Sequence, residues 1–309
     1  MKVLCTGAAG FIGSHIVDAC IADGHEVVVI DDLSTGRREN VNSKAKLYIL
    51  DIRDAQTAEV IREWRPDVLN HHAAQASVVK SAENPAEVVD MNTTATVRLM
   101  KAFAEAGGRR FVFASTGGAI YGDSDILPTT EDSPIRPESV YGATKAAAEL
   151  CLSSMARHNG VELVCLRYGN VYGPRQRPGR GAGVVSIFAD SILNGKPVTV
   201  YGNGHATRDF VYVQDVVRAN MAALRSAEGV YNIGSGVQTP VSEVFNLVAG
   251  YCMGVCRKSG VVRHESLRSG EVKRVCLDIT KAREQLGWEP QVDFRDGVKE
   301  VVEWVRTLG

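Results

Sequence analysis

Lys2-Val3-Leu4-Cys5-Thr6-Gly7-Ala8-Ala9-Gly10-Phe11-Ile12-Gly13 follows directly on Met1. Its first five residues read as a short buried strand, and Phe11 to Ala22 continue with helical periodicity until Gly24 stops them. Between the two lie three glycines. Strand, glycine turn and helix in that order supply what a dinucleotide pyrophosphate needs: backbone without a Cβ to approach, and helix N-terminal amides to receive negative charge. The spacing Gly7-x-x-Gly10-x-x-Gly13 departs from the commonest dinucleotide fingerprint, in which the first two glycines are two apart. Taken alone, such a turn is equally compatible with a tight bend that holds no ligand.

The next strands decide between the two. Residues 26–30 form an apolar run that ends in Asp31 and Asp32, near the distance at which an acidic residue meets the adenosine ribose. A carboxylate there accepts hydrogen bonds from ribose hydroxyls and repels a 2′-phosphate, so NAD is favoured over NADP. Arg37 and Arg38 would favour the phosphate, but they fall after the Ser34-Thr35-Gly36 turn and weigh less. A third strand, 46–50, finishes in Asp51-Ile52, which suit the adenine edge. A fourth, 68–72, runs into Ala73-Ala74-Gln75, whose small side chains let backbone pass close to a cofactor. His71 and His72 read as packing residues at a strand end. Gly7, Gly10, Phe11, Ile12, Gly13, Asp31, Asp32, Asp51, Ile52, Ala73 and Ala74 therefore make up the expected cofactor wall.

Strands ending near Thr6, Ile30, Leu50, His72, Ser115 and Leu166 alternate with helical patterns such as 86–106 and 139–158. This alternation predicts an α/β protein with a Rossmann-type, doubly wound parallel sheet. Beyond Arg167 the texture changes to a long loop rich in Gly, Pro and Arg, from Gly173 to Gly183. That loop marks the expected edge between an NAD-binding domain, 1–166, and a smaller mixed α/β substrate-binding lobe, 167–309. Residues of about 209–233 are expected to return to the first domain.

The chain of 309 residues carries 35 Lys and Arg against 36 Asp and Glu. So even a balance argues against a nucleic-acid-binding surface or an anchor on acidic membrane. No stretch approaches a membrane span, and the apolar run after Met1-Lys2 is better explained as a strand than as a leader. Seven cysteines, an odd number spread through predicted elements, suggest reduced thiols and a cytoplasmic setting. Cys252, Cys256, His264 and Cys276 match no closed zinc site, and no metal is expected.

Chemistry enters with Tyr141-Gly-Ala-Thr-Lys145, which sets a phenol and an ammonium four residues apart on one helical face. A free tyrosine titrates near pH ~10, so a phenolate base at neutral pH needs its pKa lowered by roughly three units. A nearby lysine cation supplies that order of energy at a partly screened site. The strand 111–115 delivers the hydroxyl of Thr116 to the same rim, because ligands in such sheets bind at the carboxyl ends of the strands. Thr116, Tyr141 and Lys145 thus form a proton-handling trio.

Gly7-x-x-Gly10-x-x-Gly13, Asp31, Asp51-Ile52, Asn92, Ser115-Thr116, Tyr141-x-x-x-Lys145, the stretch from Arg167-Tyr168-Gly169-Asn170 to Pro174, and Arg208 to Val213 occur together. With them the chain resembles the extended short-chain dehydrogenase/reductase family over nearly its whole length, and within it the nucleotide-sugar 4-epimerases, those acting on UDP-glucose above all. The resemblance implies that Tyr141 is the acid/base at the sugar 4-hydroxyl. It gives Lys145 the nicotinamide ribose and the lowering of the tyrosine pKa, and Thr116 a hydrogen bond to the reacting oxygen. Asn92 and Tyr168 join the cofactor residues. Asn170 is implied at the diphosphate, Val184, Thr199 and Tyr201 around the uracil and its ribose, Arg208 and Arg268 at the phosphates, and Glu271 on the uridine ribose. The implied reaction interconverts UDP-glucose and UDP-galactose through a 4-keto sugar, with hydride passing to tightly held NAD and back.

Two features bear on the choice of substrate. The segment after Ser115 is one residue longer than in many of these epimerases, and between Thr116 and Tyr121 it lacks the carboxylate that related dehydratases and decarboxylases carry. Epimerisation is favoured accordingly. A medium aliphatic near Val275 leaves acceptance of an N-acetyl group at the sugar C2 open. The remaining alternatives are a 4-epimerase of UDP-glucuronate or of a UDP-N-acetylhexosamine, a nucleotide-sugar dehydratase or decarboxylase, and a non-catalytic NAD-binding regulator. Relatives commonly pair as homodimers through two long helices, here matching 86–106 and 139–158. The second helix carries Leu150, Leu152 and Met155, which could equally face the chain's own sheet.

Overall fold

A computed structural model describes residues 1–179, 182–226, 228–253, 262–266 and 272–308. Seven strands form one parallel sheet: β1 (Lys2–Thr6), β2 (Glu26–Asp31), β3 (Lys46–Ile49), β4 (Val68–His71), β5 (Arg110–Thr116), β6 (Glu162–Tyr168) and β7 (Gly229–Ile233). Their spatial order is β7-β6-β5-β4-β1-β2-β3, with β1 paired to both β2 and β4. The chain therefore reverses its direction of travel across the sheet at the boundary between β1 and β4. A crevice opens there at the carboxyl ends of the strands.

Both faces of the sheet are covered because its strands are apolar on both sides. On one face, Val3, Cys5, Val27 and Val29 pack with α1 (Phe11–Ala22) and a later helix, Val213–Ala223. On the other, Leu4, Val28, Ile30 and Phe111 pack with α2 (Ala55–Trp64), α3 (Ala95–Glu105) and α4 (Val140–Asn159). Ser139 caps α4 by accepting from the Gly142 amide, and Gly160 closes it in the left-handed conformation. Leu152 is fully buried against the sheet and Met155 packs beside it, whereas Leu150 is 68% exposed.

Two elements differ from their sequence reading. The helical run 86–106 is broken by a π turn at Asp90–Thr94, between Pro85–Val89 and α3. The extra residue in that turn carries Asn92 into the interior, where its amide finds partners. Strand β7 is short, half-exposed at its start and at the sheet edge, so Gly229-Val-Tyr-Asn-Ile gives little strand signal of its own.

The second core gathers α5 (Val184–Leu193), α7 (Val241–Met253) and α8 (Phe294–Arg306), with the helix Val213–Ala223, here α6, touching its rim through Val213. Small strand pairs lie outside the large sheet. Asn170–Tyr172 runs parallel to Phe210–Tyr212, and Val198–Tyr201 runs parallel to Val262–Glu265.

Candidate active site

A cleft of about 1860 Å³ lies between the carboxyl ends of the sheet and the second core. Its cofactor side is built on backbone packing that excludes side chains. Gly7 sits at φ +65°, and a Cβ on it would lie 2.5 Å from the Ala73 nitrogen; a Cβ on Gly13 would lie 2.7 Å from the Ala8 Cα. Asp31 then ties the turn to β2 by accepting from the Ala9 and Leu33 amides, both at 2.9 Å. Burial pushes this carboxyl up, and those amides oppose the push. Asp32 is exposed and turns back to accept from the Ser34 amide and hydroxyl. Arg37 pairs with Glu39 at 3.1 Å.

Gly10, Phe11, Ile12, Ala73, Ala74 and Tyr168 line the same wall, as do Asp51 and Ile52. Asp51 is gripped by Arg53, which holds its carboxyl below the usual range. Asn92 is placed behind the wall rather than on it. Its amide donates to the Gln75 carbonyl at 3.0 Å and to Thr144 Oγ1 at 3.1 Å, and its oxygen accepts from the Gln75 amide at 2.8 Å. It can act on a cofactor only through the 73–77 loop that it braces.

The two histidines pack as expected of a strand end. His71 is fully buried between Thr6 Oγ1 at 2.6 Å and Thr96 Oγ1 at 2.8 Å. His72 stacks on Tyr168 with Nε2 3.1 Å from its hydroxyl, which Asn220 also holds at 2.8 Å. Burial, with Lys145 nearby, lowers His71 well below the ordinary histidine value and His72 to about 3, so both are neutral.

Thr116, Tyr141 and Lys145 are brought together where β5 ends against the first turns of α4. Thr116 and Tyr141 both line the cleft, the tyrosine with its ring half-buried. Lys145 is buried, donates to the Ala114 carbonyl at 2.8 Å and lies 4.6 Å from the centroid of Phe113. Burial pushes Tyr141 up to about 12, opposed by Thr116. The Lys145 ammonium, one helical turn from the phenol, is directed at a carbonyl and a ring face. Burial lowers Lys145 itself to about 8, opposed by Glu149.

On the substrate side, Asn170 lines the cleft, and its buried Oδ1 has no hydrogen-bond partner. Val184 and Arg208 line it too. Thr199 and Tyr201, expected around the base, lie on Val198–Tyr201 beside Val262–Glu265 and off the cleft wall. Arg268 and Glu271 fall outside the described residues. Val275 is buried, and Val272 reaches the cleft.

A buried polar layer beneath the trio was legible only in part. Arg167 forks onto Glu149 with contacts of 2.6, 3.0 and 3.2 Å, and Ser115 Oγ donates to the same carboxylate. Arg167 also donates to the Tyr121 hydroxyl at 2.8 Å, which donates onward to Asn232 Oδ1 at 2.8 Å. The available signal was spacing, since Glu149 follows Lys145 by one helical turn. Among the described residues there is no group of three or more His, Cys, Asp or Glu that could hold a metal ion, and no helix is long and apolar enough to cross a membrane.

The model of the NAD dependent epimerase/dehydratase family matches residues 3–234. A putative UDP-glucose 4-epimerase of Methanocaldococcus jannaschii is 42% identical over 304 residues, 98% of each chain. The crystal structure of UDP-glucose 4-epimerase with UDP-glucose from Thermotoga maritima superposes with a TM-score of 0.96 at 42% identity, covering 100% of this chain and 99% of that one. The Thermus thermophilus UDP-glucose 4-epimerase in complex with NAD gives a TM-score of 0.94 at 43% identity over 99% of both chains. With a glycine cradle closed to side chains, a hydroxyl, phenol and ammonium gathered at its rim, and these likenesses along the full length, the chain belongs to the NAD dependent epimerase/dehydratase family.

Proposed function

We propose that this protein interconverts UDP-glucose and UDP-galactose by 4-epimerisation, using tightly held NAD. The observation that carries the reading is the gathering of Thr116, Tyr141 and Lys145 on the wall of one cleft, beside the glycine cradle, with Lys145 one helical turn beyond Tyr141 along α4. The full-length likeness to a structure holding UDP-glucose and to one holding NAD supports it.

The residues present fit NAD. Glycines packed too tightly for a Cβ leave bare backbone on the cleft wall for phosphate to approach, and the Asp31 and Asp32 carboxylates at the β2 end suit a ribose and oppose a 2′-phosphate. Gly7, Gly10, Phe11, Ile12 and Gly13 would hold the pyrophosphate, Asp31 and Asp32 the adenosine ribose, Asp51 and Ile52 the adenine, and Ala73, Ala74, Tyr168 and Lys145 the nicotinamide half. The chemistry supplied by the bound nicotinamide is the acceptance and return of one hydride.

The protein's own part is to bind, orient and move a proton. Asn170 and Arg208 reach the diphosphate, where an arginine fork matches phosphate oxygens. Thr116 fixes the sugar 4-oxygen against Tyr141. Tyr141 in its phenolate form would take the 4-hydroxyl proton as the C4–H bond breaks, and the phenol so formed would return it to the same oxygen when the 4-keto sugar is reduced on its other face. The phenol described here is the form that gives the proton back. A carboxylate between Thr116 and Tyr121 is lacking, so elimination or decarboxylation has no additional acid/base at this position.

The same reading assigns NAD to residues 1–166 with about 209–233, a division supported by the pairing of β7 with β6. It assigns the sugar nucleotide mainly to 167–309. It includes a homodimer joined through 85–105 and α4, supported by the exposed Val89 and Leu150. A cytoplasmic setting is supported by the free thiols of Cys5, Cys20, Cys151, Cys165, Cys252 and Cys276. The test is to incubate purified protein with UDP-galactose, UDP-GlcNAc and UDP-glucuronate and resolve the products. Formation of UDP-glucose is expected from the first, and equilibration of only the acetylated sugar or only the acid overturns the assignment.

A further inference from the structure

Tyr141, Lys145 and Glu149 follow one another at four-residue spacing along α4 and share one face of it. Each meets one of three consecutive residues at the end of β5. Thr116 lines the cleft with Tyr141, Ala114 accepts from Lys145 at 2.8 Å, and Ser115 Oγ donates to Glu149 Oε1. The strand end is thereby held to the helix by two successive side-chain bonds, one of them made by Lys145 of the proton-handling trio.

We propose that Glu149 is the positioning residue of this site: through Ser115 it fixes the end of β5 against α4, and through its charge it keeps Lys145 an ammonium. The proposal rests on the epimerase reading above for its catalytic consequence. Ser115, Glu149 and Arg167 are 4%, 5% and 4% exposed, so the ion pair between the last two is well out of water. Such a pair contributes little net stability compared with apolar packing of the same volume. Its place directly beneath the trio, with every carboxylate oxygen occupied, gives it a geometric use instead. Arg167 is itself immobilised by the Tyr121 hydroxyl at 2.8 Å and the Glu131 carbonyl at 3.2 Å, so Glu149 has a fixed base from which to hold Ser115.

Lys145 is faced on its own helix by Tyr141 and Glu149, from the end of β4 by His71 and the following His72, both neutral, and from β6 by Cys165, whose thiol burial pushes up, with Arg167 behind Glu149. Glu149 is the one anion in that set. Removing its charge takes away what opposes the effect of burial on Lys145, so the ammonium is lost at lower pH.

Three variants separate the parts: Ser115→Ala, Glu149→Gln and Glu149→Asp, each assayed for kcat and KM with UDP-galactose across pH. Lys145 is followed in the same proteins by NMR of ¹³Cε-labelled lysine. Ser115→Ala is expected to lower kcat about tenfold with KM nearly unchanged and the Lys145 titration unmoved. Glu149→Gln is expected to move the Lys145 titration and the alkaline limb of kcat together to lower pH, and Glu149→Asp to restore the charge effect but not the full rate. Should Glu149→Gln fail to fold, the other two variants carry the test. Wild-type kcat in Ser115→Ala, or a Lys145 titration that stays in place in Glu149→Gln, overturns the proposal. If the unmodified protein turns over no UDP-sugar, the epimerase reading falls, while the Lys145 titration still decides whether Glu149 holds that charge.

Discussion

A tyrosine used as both acid and base must sit where its proton has one place to go. Thr116 stands with Tyr141 on the cleft wall, and burial keeps the resting oxygen a phenol. Tyr141→Phe removes the proton and keeps the ring, so kcat is expected to fall by about 10²–10⁴-fold with little change in NAD content. Steady-state turnover and the nucleotide released on heat denaturation measure both. Lys145 is lowered to about 8 by burial, so its ammonium is present below that pH and lost as pH rises through it. A kcat that depends on this charge therefore declines above about pH 8, and a flat alkaline profile would contradict the dependence. The neutral histidines make an opposite, structural prediction. His71 and His72 are lowered in the fold, so the unfolded chain binds more protons below the ordinary histidine pKa of about 6.5, and stability drops as pH falls from there. Urea unfolding at pH 7 and pH 5 should show the loss, and His71→Asn should blunt it. Asp31 and Asp209, raised by burial, act in the other sense only where carboxylates titrate.

Elements carry these residues to their places, and glycine chemistry is strictest at the first turn. A methyl group on Gly7 meets the Ala73 backbone at 2.5 Å in a conformation of positive φ. Gly7→Ala is expected to lower the melting temperature by several degrees and to strip NAD during purification, read by calorimetry and by nucleotide content. The extents of β1 and α1 were readable to the residue, because a strand, three glycines and an amphipathic helix leave little choice of boundary. The π turn at Asp90–Thr94 was not readable. Its sequence is compatible with plain helix, and the turn arises where Asn92 is drawn to Gln75 and Thr144, partners 17 and 52 residues away.

At the scale of the whole molecule the two cores meet along a few polar anchors. Asp209, fully buried, accepts from the amides of Ser235, Gly236 and Leu277 and from the Ser235 hydroxyl. Asp209→Ala leaves those donors unpaired and is expected to cost about 3 kcal/mol or more, measured by denaturant unfolding. The loop after β6 adds a second anchor, with His15 Nε2 3.0 Å from the Pro174 carbonyl and Arg175 paired to Asp18 at 2.8 Å. The amino-acid sequence alone determined the doubly wound sheet, the glycine cradle and the Tyr141–Lys145 pair, because those follow from local periodicity, backbone freedom and helical spacing. Tertiary structure alone decided that Lys145 donates to the Ala114 carbonyl, that Asn92 braces the loop after β4, that the strand of Thr199 and Tyr201 pairs with Val262–Glu265, and that Ser115, Glu149 and Arg167 form one buried layer. The physical reason is that direction and burial of a side chain depend on neighbours distant in sequence, and no pattern within a single element records them.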